Sequence, residues 1–287
     1  MNIIKNNFFL NNSNNLLNKL LNMKRTIIMG VLNVTPDSFS DGGVYLNLDN
    51  AINHVLNLVK EGADIIDIGG ESSKPGSISI SVEEELKRVI PVIKKLRSIK
   101  ELDNVLISID TYKPKVAREA IKKGANILND ITGFTNLNLQ NIASKFNLPV
   151  IVMHMKGTPK TMQNNPNYDD VIEEIYNFFS KRITELNKKG VSNIILDPGI
   201  GFGKSLKDNI KILQNLDYFT KLNYPILIGN SRKSFLGLIG DLKINEREEA
   251  TISSNIYSVM KGAKIIRVHD VKKNKRAFMI FDKLNSK

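Results

Sequence analysis

The stretch I-I-L-D-P-G-I-G-F-G-K at residues 194–204 decides the fold, because it joins an apolar strand to a glycine-rich loop. Proline cannot continue a central strand, so Pro198 makes Asp197 the last strand residue. A carboxylate at the end of an apolar strand is where an α/β protein places a ligand contact. A plain strand-to-helix turn is the alternative. The loop lacks the glycines of a Walker motif and of a dinucleotide fingerprint.

The same alternation of apolar run, loop and helical spacing recurs from residue 27 onward. Runs that are apolar throughout are typical of a parallel sheet buried on both faces. The sequence therefore predicts an α/β protein whose residues 25–287 form a single-domain (β/α)₈ TIM barrel. A doubly wound open sheet is the alternative. The predicted strands are residues 27–33, 64–68, 105–109, 126–129, 150–153, 194–197, 226–228 and 265–268.

Composition excludes several classes of function. The 287 residues contain no cysteine, which excludes disulfides, thiolate metal sites and a cysteine nucleophile. The net charge of +12 is concentrated at the two ends, with +4 in residues 1–36 and +5 in residues 271–287. A body with so little excess charge argues against nucleic acid as a partner. No apolar run approaches the roughly 18 residues of a membrane span, so no membrane partner is expected.

The first 24 residues are rich in asparagine and contain neither glycine nor proline. Their short apolar run, residues 8–10, does not reach the length of a secretory signal. We predict that residues 1–24 form an N-terminal extension that is partly disordered, with Met23 as an alternative start.

Polar residues stand at or just after nearly every predicted strand. Asp110, Asn129 and Asp197 suit the edge of a planar heterocycle, whereas Lys233, Arg267 and His269 suit phosphate. Each of them is also a common turn or cap residue. The loop at residues 229–234 is predicted to open a helix at Ser231, whose free N–H groups favour an anion.

No metal cage is visible in the sequence, since the three histidines lie far apart. Asn33 could hold one hard cation together with substrate oxygens and water, as Mg²⁺ is often held. No serine or cysteine triad is present either. The predicted site therefore works by positioning and charge stabilisation.

The motifs together resemble those of the dihydropteroate synthase family. The resemblance runs in order from about residue 24 to the C-terminus. It is carried by L-N-V-T-P-D-S-F-S-D-G-G (32–43), G-A-D-I-I-D-I-G-G-E-S-S-K-P-G (62–76), S-I-D-T (108–111), N-D-I-T-G (129–133), M-H-M-K-G-T-P-K-T-M-Q (153–163), D-P-G-I-G-F-G-K (197–204), S-R-K-S (231–234) and R-V-H-D-V (267–271).

The resemblance implies a transferase of folate biosynthesis. Its reaction joins p-aminobenzoate to 6-hydroxymethyl-7,8-dihydropterin diphosphate and releases 7,8-dihydropteroate and pyrophosphate. The family mechanism is SN1-like, with Mg²⁺-assisted loss of the diphosphate. The resemblance also implies a cytoplasmic homodimer and a target of sulfonamides.

The resemblance assigns roles to individual positions. The catalytic residues would be Asp37, Phe39, Asp110 and Lys233, the first two lying in a closing loop at residues 34–45. The pterin would be held by Asp110, Asn129, Met153, Asp197 and Lys233. The p-aminobenzoate pocket would use Ser73, Lys74, Pro75, Phe202 and Ser231. The diphosphate would bind Asn33, Arg267 and His269, with Mg²⁺ at Asn33.

The chain departs from the family pattern in one motif. The common form is G-G-E-S-T-R-P-G, and this chain has Ser73 in place of the threonine and Lys74 in place of the arginine. Lysine cannot reproduce the planar fork of arginine. We expect retained activity with altered affinity for p-aminobenzoate or sulfonamides. A pterin-binding methyltransferase and a non-catalytic pterin-binding protein are the alternative functions.

Overall fold

Eight parallel strands close into a barrel in the order in which they occur along the chain. The computed structural model describes residues 2–35 and 44–285. The last strand returns to the first, since β8 pairs with β1. The predicted (β/α)₈ barrel is thereby confirmed, and the open-sheet alternative is wrong. The strands are β1 (Ile27–Asn33), β2 (Ile65–Gly69), β3 (Leu106–Asp110), β4 (Ile127–Asp130), β5 (Val150–Met153), β6 (Ile194–Asp197), β7 (Ile226–Ile228) and β8 (Ala263–Val268).

Helices follow the strands and cover the outside of the barrel. An extensive apolar cluster fills the layer between the strands and these helices. No helix among residues 2–35 and 44–285 is long and apolar enough to cross a membrane. The helices are α1 (Asn2–Leu21), α2 (Val44–Lys60), α3 (Val82–Leu96), α4 (Pro114–Lys122), α5 (Leu137–Lys145), α6 (Val171–Lys188), α7 (Leu206–Gln214), α8 (Ser234–Gly240), α9 (Glu248–Met260) and α10 (Val271–Asn285).

The barrel interior has an apolar lower layer and a polar upper layer. Strand residues two apart point to the same face, so one inward-facing row runs along each strand. In β2 this row reads Ile65 then Asp67, and in β8 it reads Ile265 then Arg267. The lower layer is a closed cluster of Ile27, Met29, Ile65, Leu106, Ile127, Ile151, Ile195, Leu227 and Ile265. The inward-facing polar residues of β2 and β8 therefore lie toward the carboxyl end of the barrel.

Helix α1 closes the bottom of the barrel. Leu17 is fully buried and belongs to the same cluster as the lower interior layer. Leu16, Leu20 and Leu21 pack against that cluster from the same helix. The spacing of the four leucines forms one apolar face on the helix Asn2–Leu21. That residues 1–24 form a partly disordered N-terminal extension stays a prediction.

Replacing Leu17 by alanine tests whether α1 acts as a plug. The change removes a side chain that fills the barrel bottom, and such truncations cost about 2–5 kcal/mol. We expect the free energy of unfolding in urea to fall by that amount. Leu137→Ala is the matched control, because Leu137 is 64% exposed at the start of α5. Equal stability of the two variants would show that α1 does not contribute to the core.

Candidate active site

Arg267 lies between two carboxylates in the upper layer of the barrel. Its Nε donates to Asp67 Oδ2 at 2.7 Å, and its Nη2 donates to Asp110 Oδ2 at 3.1 Å. The side chain of Asp67 is fully buried, whereas those of Asp110 and Arg267 are 14% and 22% exposed. The three charges therefore sit at the border between the closed interior and the open mouth.

The electrostatics of this group raise the pKa of Asp110. Burial raises the pKa of Asp110 to about 8, the neighbouring Asp67 charge adds to the rise, and Arg267 opposes it. Two carboxylates beside one guanidinium leave excess negative charge in a site with little water. A cation placed against Asp110 would favour release of its proton.

Asp67 is the site residue that the sequence reasoning missed. It lies in the middle of β2 rather than at its end, two residues before Gly69. Asn129 Nδ2 donates to Asp67 Oδ2 at 3.2 Å, while Asp67 Oδ1 is buried without a partner among the described residues. The signal was available, because a lone carboxylate inside the apolar run I-I-D-I-G must be buried.

Asp197 stands where the sequence predicts, as the last residue of β6. It is 7% exposed, and its Oδ1 accepts a hydrogen bond from the Gly199 amide at 2.7 Å. Burial raises its pKa, against the Gly199 hydrogen bond and the charges of Lys233, Arg267 and Lys204. Met153, on the adjacent strand, pairs in register with Asp197. The predicted pterin residues of β3 to β6 thus share one end of the barrel.

The loop after β6 packs directly against the loop after β5. Gly199 has a φ of +69°, and a Cβ there would lie 2.0 Å from the His154 carbonyl oxygen. Gly203 has a φ of +63°, and its Cβ would lie 2.2 Å from the Lys156 carbonyl oxygen. Only glycine satisfies both the backbone conformation and the contact.

The side chain of Lys204 joins these two loops. The sequence did not predict Lys204 as a site residue. Its buried ammonium donates to Phe202 O at 2.9 Å and to His154 O at 3.2 Å, and lies 3.1 Å from His154 Nδ1. Burial lowers the pKa of Lys204 to about 7. Burial, with the charges of Lys204 and Lys156, lowers the pKa of His154 to about 2. His154 is therefore a neutral acceptor in the folded protein.

Lys233 and Phe202 meet across the mouth, although they are far apart in sequence. The Lys233 ammonium lies 3.9 Å from the centre of the Phe202 ring, within the range of a cation–π contact. Burial lowers the pKa of Lys233 to about 8, and the charge of Arg267 adds to that effect. Both residues lie where the sequence predicts substrate contacts.

Ser231 and His269 form a pair that the sequence assigned to two different substrates. Ser231 Oγ lies 2.9 Å from His269 Nδ1 and accepts a hydrogen bond from the His269 amide at 3.2 Å. Burial lowers the pKa of His269 to about 3, with further lowering by Arg267, Arg232, Lys233 and Lys74. The imidazole is therefore neutral at pH 7.

The helix predicted to open at Ser231 begins instead at Ser234, with Lys233 as its N-cap. The physical reason is the backbone of Arg232, whose φ of +57° lies outside the helical region. The Arg232 amide donates to Thr251 Oγ1 of α9 at 3.1 Å, which fixes this turn. The free N–H groups of this helix therefore lie at its start at Ser234 and not at Ser231.

The remaining predicted residues that the structure describes lie at the end of β1 and in the loop after β2. Ser73 is half-buried, and Lys74 and Pro75 are exposed in the loop after β2. Asn33 ends β1, and a Cβ added at Gly69 would lie 3.8 Å from Asn33 Oδ1 and 3.6 Å from the Asp110 Cβ. Gly69 thus keeps a small space open between these two side chains. Asp37 and Phe39 lie outside the described residues.

Comparison with known proteins finds relatives over most of the chain. The profile of the family described as "Pterin binding enzyme" matches residues 29–269. A dihydropteroate synthase from Clostridium beijerinckii is 46% identical over 263 residues, covering 90% of this chain and 94% of the relative.

Solved structures agree with the sequence relatives. A dihydropteroate synthase from Clostridium difficile, crystallised in the presence of pteroic acid, is 46% identical with a TM-score of 0.85. That match covers 92% of this chain and 98% of the other. A dihydropteroate synthase from Xanthomonas albilineans with 4-aminobenzoic acid is 37% identical with a TM-score of 0.85, covering 93% of this chain and 95% of the other.

The neutral state of His154 predicts a specific dependence of stability on pH. Below pH 6.5 the unfolded chain binds a proton on this histidine that the folded chain refuses, so acid favours unfolding. We expect the free energy of unfolding of the wild type to fall more steeply than that of His154→Asn between pH 6 and 4. The expected difference is about 1.4 kcal/mol per pH unit.

Urea unfolding at a series of pH values measures this difference. His54→Asn is the matched control, because His54 is exposed in α2 and its replacement does not touch the Lys204 contacts. Parallel pH profiles for the wild type and His154→Asn would contradict a neutral, buried His154.

Proposed function

The chain belongs to the pterin-binding enzyme family, and we infer from its relatives and its site that it acts as a dihydropteroate synthase. It is a transferase that condenses 6-hydroxymethyl-7,8-dihydropterin diphosphate with p-aminobenzoate. The products are 7,8-dihydropteroate and pyrophosphate. The observation that carries this function is the convergence of Asp67, Asp110, Asn129, Asp197 and Arg267 in one barrel mouth. The alternatives, a methyltransferase or a non-catalytic protein, gain no support from the named relatives.

Asp197 and Asn129 are proposed to recognise the pterin edge. A pterin presents an amino group beside a ring N–H, and one carboxylate can accept both. Asp197 is a buried carboxylate on the mouth, whereas Asn129 offers an amide that is already engaged with Asp67. Lys233 would donate to the pterin carbonyl, and Met153 would contribute apolar contact.

Asp67 and Asp110 are proposed to stabilise the positive charge that develops on the pterin. Loss of the diphosphate leaves a pterin cation, and a positive charge beside Asp110 favours its ionised form, so that two carboxylates lie beside one guanidinium. Fixed charges aimed at a developing charge need no rearrangement during the reaction. Arg267, which lies between the two carboxylates, and the Ser231–His269 pair would donate to the departing diphosphate.

Asn33 fits a Mg²⁺ ion that arrives with the diphosphate. Mg²⁺ typically keeps several waters and binds one or two protein oxygens together with substrate phosphates. The described residues contain no cluster of three His, Cys, Asp or Glu that could hold a metal alone. The amide oxygen of Asn33 borders the space that Gly69 keeps open. A bound ion would neutralise charge on the leaving group.

The p-aminobenzoate pocket is proposed to lie between Phe202, Lys233 and the loop that carries Ser73, Lys74 and Pro75. The Phe202 ring supplies an apolar face, and the exposed Lys74 supplies a charge for the carboxylate. The amine of p-aminobenzoate is already nucleophilic, so no strong base is required. Closure by Asp37 and Phe39 stays a prediction.

We also propose a homodimer that forms through the later helices. Leu238, Ile239, Ile244 and Met260 of the α8–α9 region are all more than half exposed. Burial of these side chains against a second copy would remove apolar surface from water. Sedimentation of the purified chain tests this, and a single monomeric species would contradict it. A cytoplasmic location stays a prediction.

Pyrophosphate release by the purified chain tests the function. The assay contains dihydropterin diphosphate and Mg²⁺, with and without p-aminobenzoate. We expect 7,8-dihydropteroate and pyrophosphate in equal amounts when both substrates are present. Tight binding of the pterin without any pyrophosphate release would favour a binding protein.

Asp197 and Asn129 should differ in their effect on pterin affinity. A hydrogen bond to a charged group contributes about 1.5–3 kcal/mol, roughly twice a neutral one. Asp197→Asn is therefore expected to weaken pterin binding by one to two orders of magnitude. Asn129→Ala should weaken it less. Calorimetric titration measures both constants, and equal losses would contradict the assignment of the pterin edge to Asp197.

A further inference from the structure

Four side chains form a hydrogen-bonded and ion-paired network beside the loop at residues 71–80. They are Glu71, Glu85, Tyr112 and Lys113, and we call them the Glu71 network. The Lys113 ammonium pairs with Glu85 Oε2 at 2.6 Å and with Glu71 Oε2 at 2.5 Å. The side chain of Glu85 is 1% exposed, and those of Glu71 and Lys113 are 11% and 10% exposed. Ion pairs so far from water are costly unless their geometry is fixed.

Glu71 ties the two ends of this loop together. Its Oε2 accepts hydrogen bonds from the Ile80 amide at 2.9 Å and from Ser79 Oγ at 3.3 Å. Its Oε1 accepts one from Tyr112 OH at 2.6 Å. Burial opposes the ionisation of Glu71, but the bonds from Lys113, Tyr112 and Ile80 outweigh it and lower the pKa. One carboxylate thus joins residues nine positions apart to the turn after β3.

The segment between those ends has few other attachments. The Lys74 amide lies 3.4 Å from Ser72 Oγ, and the Gly76 amide donates to Pro159 O at 3.1 Å. Lys74 and Pro75 are exposed. Ser79 Oγ also lies 2.9 Å from Tyr112 OH, so within the described residues the segment is held to the barrel mainly by Glu71 and Tyr112. This segment carries three of the residues assigned above to the p-aminobenzoate pocket.

We propose that Glu71 and Lys113 are positioning residues for p-aminobenzoate. Neither needs to touch the substrate. Lys113, anchored on the buried Glu85 of α3, holds Glu71, and Glu71 holds the loop so that Ser73, Lys74 and Pro75 form one wall of the pocket. This inference rests on the proposed function. Among the described residues, the hydrogen bonds of Glu71 and the ion pairs of Lys113 go to the loop and to one another and reach no residue assigned above to the pterin, so the network should affect p-aminobenzoate and not the pterin.

The test compares Glu71→Gln and Tyr112→Phe with the wild type in steady-state kinetics. Glu71→Gln keeps the shape of the side chain and removes the charge that binds Lys113. Tyr112→Phe removes one hydroxyl only, and serves if Glu71→Gln does not fold. Lys115→Ala is the matched control, because it breaks an ion pair with Glu83 whose side chains are 63% and 73% exposed.

We expect Glu71→Gln to raise the KM for p-aminobenzoate about tenfold or more, and Tyr112→Phe to raise it severalfold. The KM for dihydropterin diphosphate should stay within about twofold in both, and Lys115→Ala should change neither constant. Amide exchange of residues 72–80 should become faster in Glu71→Gln, less so in Tyr112→Phe, and should not change in Lys115→Ala.

Two results would overturn the inference. An active wild type whose folded variants keep the KM for p-aminobenzoate, or raise both KM values together, would refute the positioning role alone. A wild type that forms no dihydropteroate would refute the proposed function and this inference with it.

Discussion

The ion pairs of Arg267 with Asp67 and Asp110 are the constraint on which the rest of the site depends. Charges inside a barrel are tolerated only when each has a partner at short distance. The lower layer of isoleucines and leucines, closed from below by Leu17, leaves these charges open to water only at the carboxyl end. The barrel therefore has one mouth, and its chemistry is set by two carboxylates around one guanidinium.

Two buried lysines hold the loops around that mouth. Lys204 joins the loops after β5 and β6 by donating to His154 O and Phe202 O. Lys113 joins the loop after β2 to the turn after β3 through Glu71 and Glu85. Both ammonium groups lie behind the surface that would meet substrate. Substrate-contacting residues on loops thereby gain the rigidity that a site for charge stabilisation requires.

The sequence predicted much of this arrangement because a parallel barrel has a simple rule. Residues at strand ends meet at one mouth, and Asp110, Asn129, Asp197 and Arg267 lie at the carboxyl ends of their strands as this rule requires. Asp67 was not predicted as a site residue, because the rule considers only the last residue of a strand. The contact between Ser231 and His269 was not predicted, because the two residues are 38 positions apart and no periodicity links them. The helix α1 was not predicted, because its asparagine-rich composition made the spacing of its leucines hard to recognise.

The most direct test of this account is the turnover of Asp67→Asn. The substitution keeps the size of a fully buried side chain and removes the charge proposed to stabilise the pterin cation. We predict that kcat falls by about a hundredfold, as is typical when one preorganised group is lost. The affinity for the pterin itself should change little. An unchanged kcat in a folded Asp67→Asn variant would contradict the account.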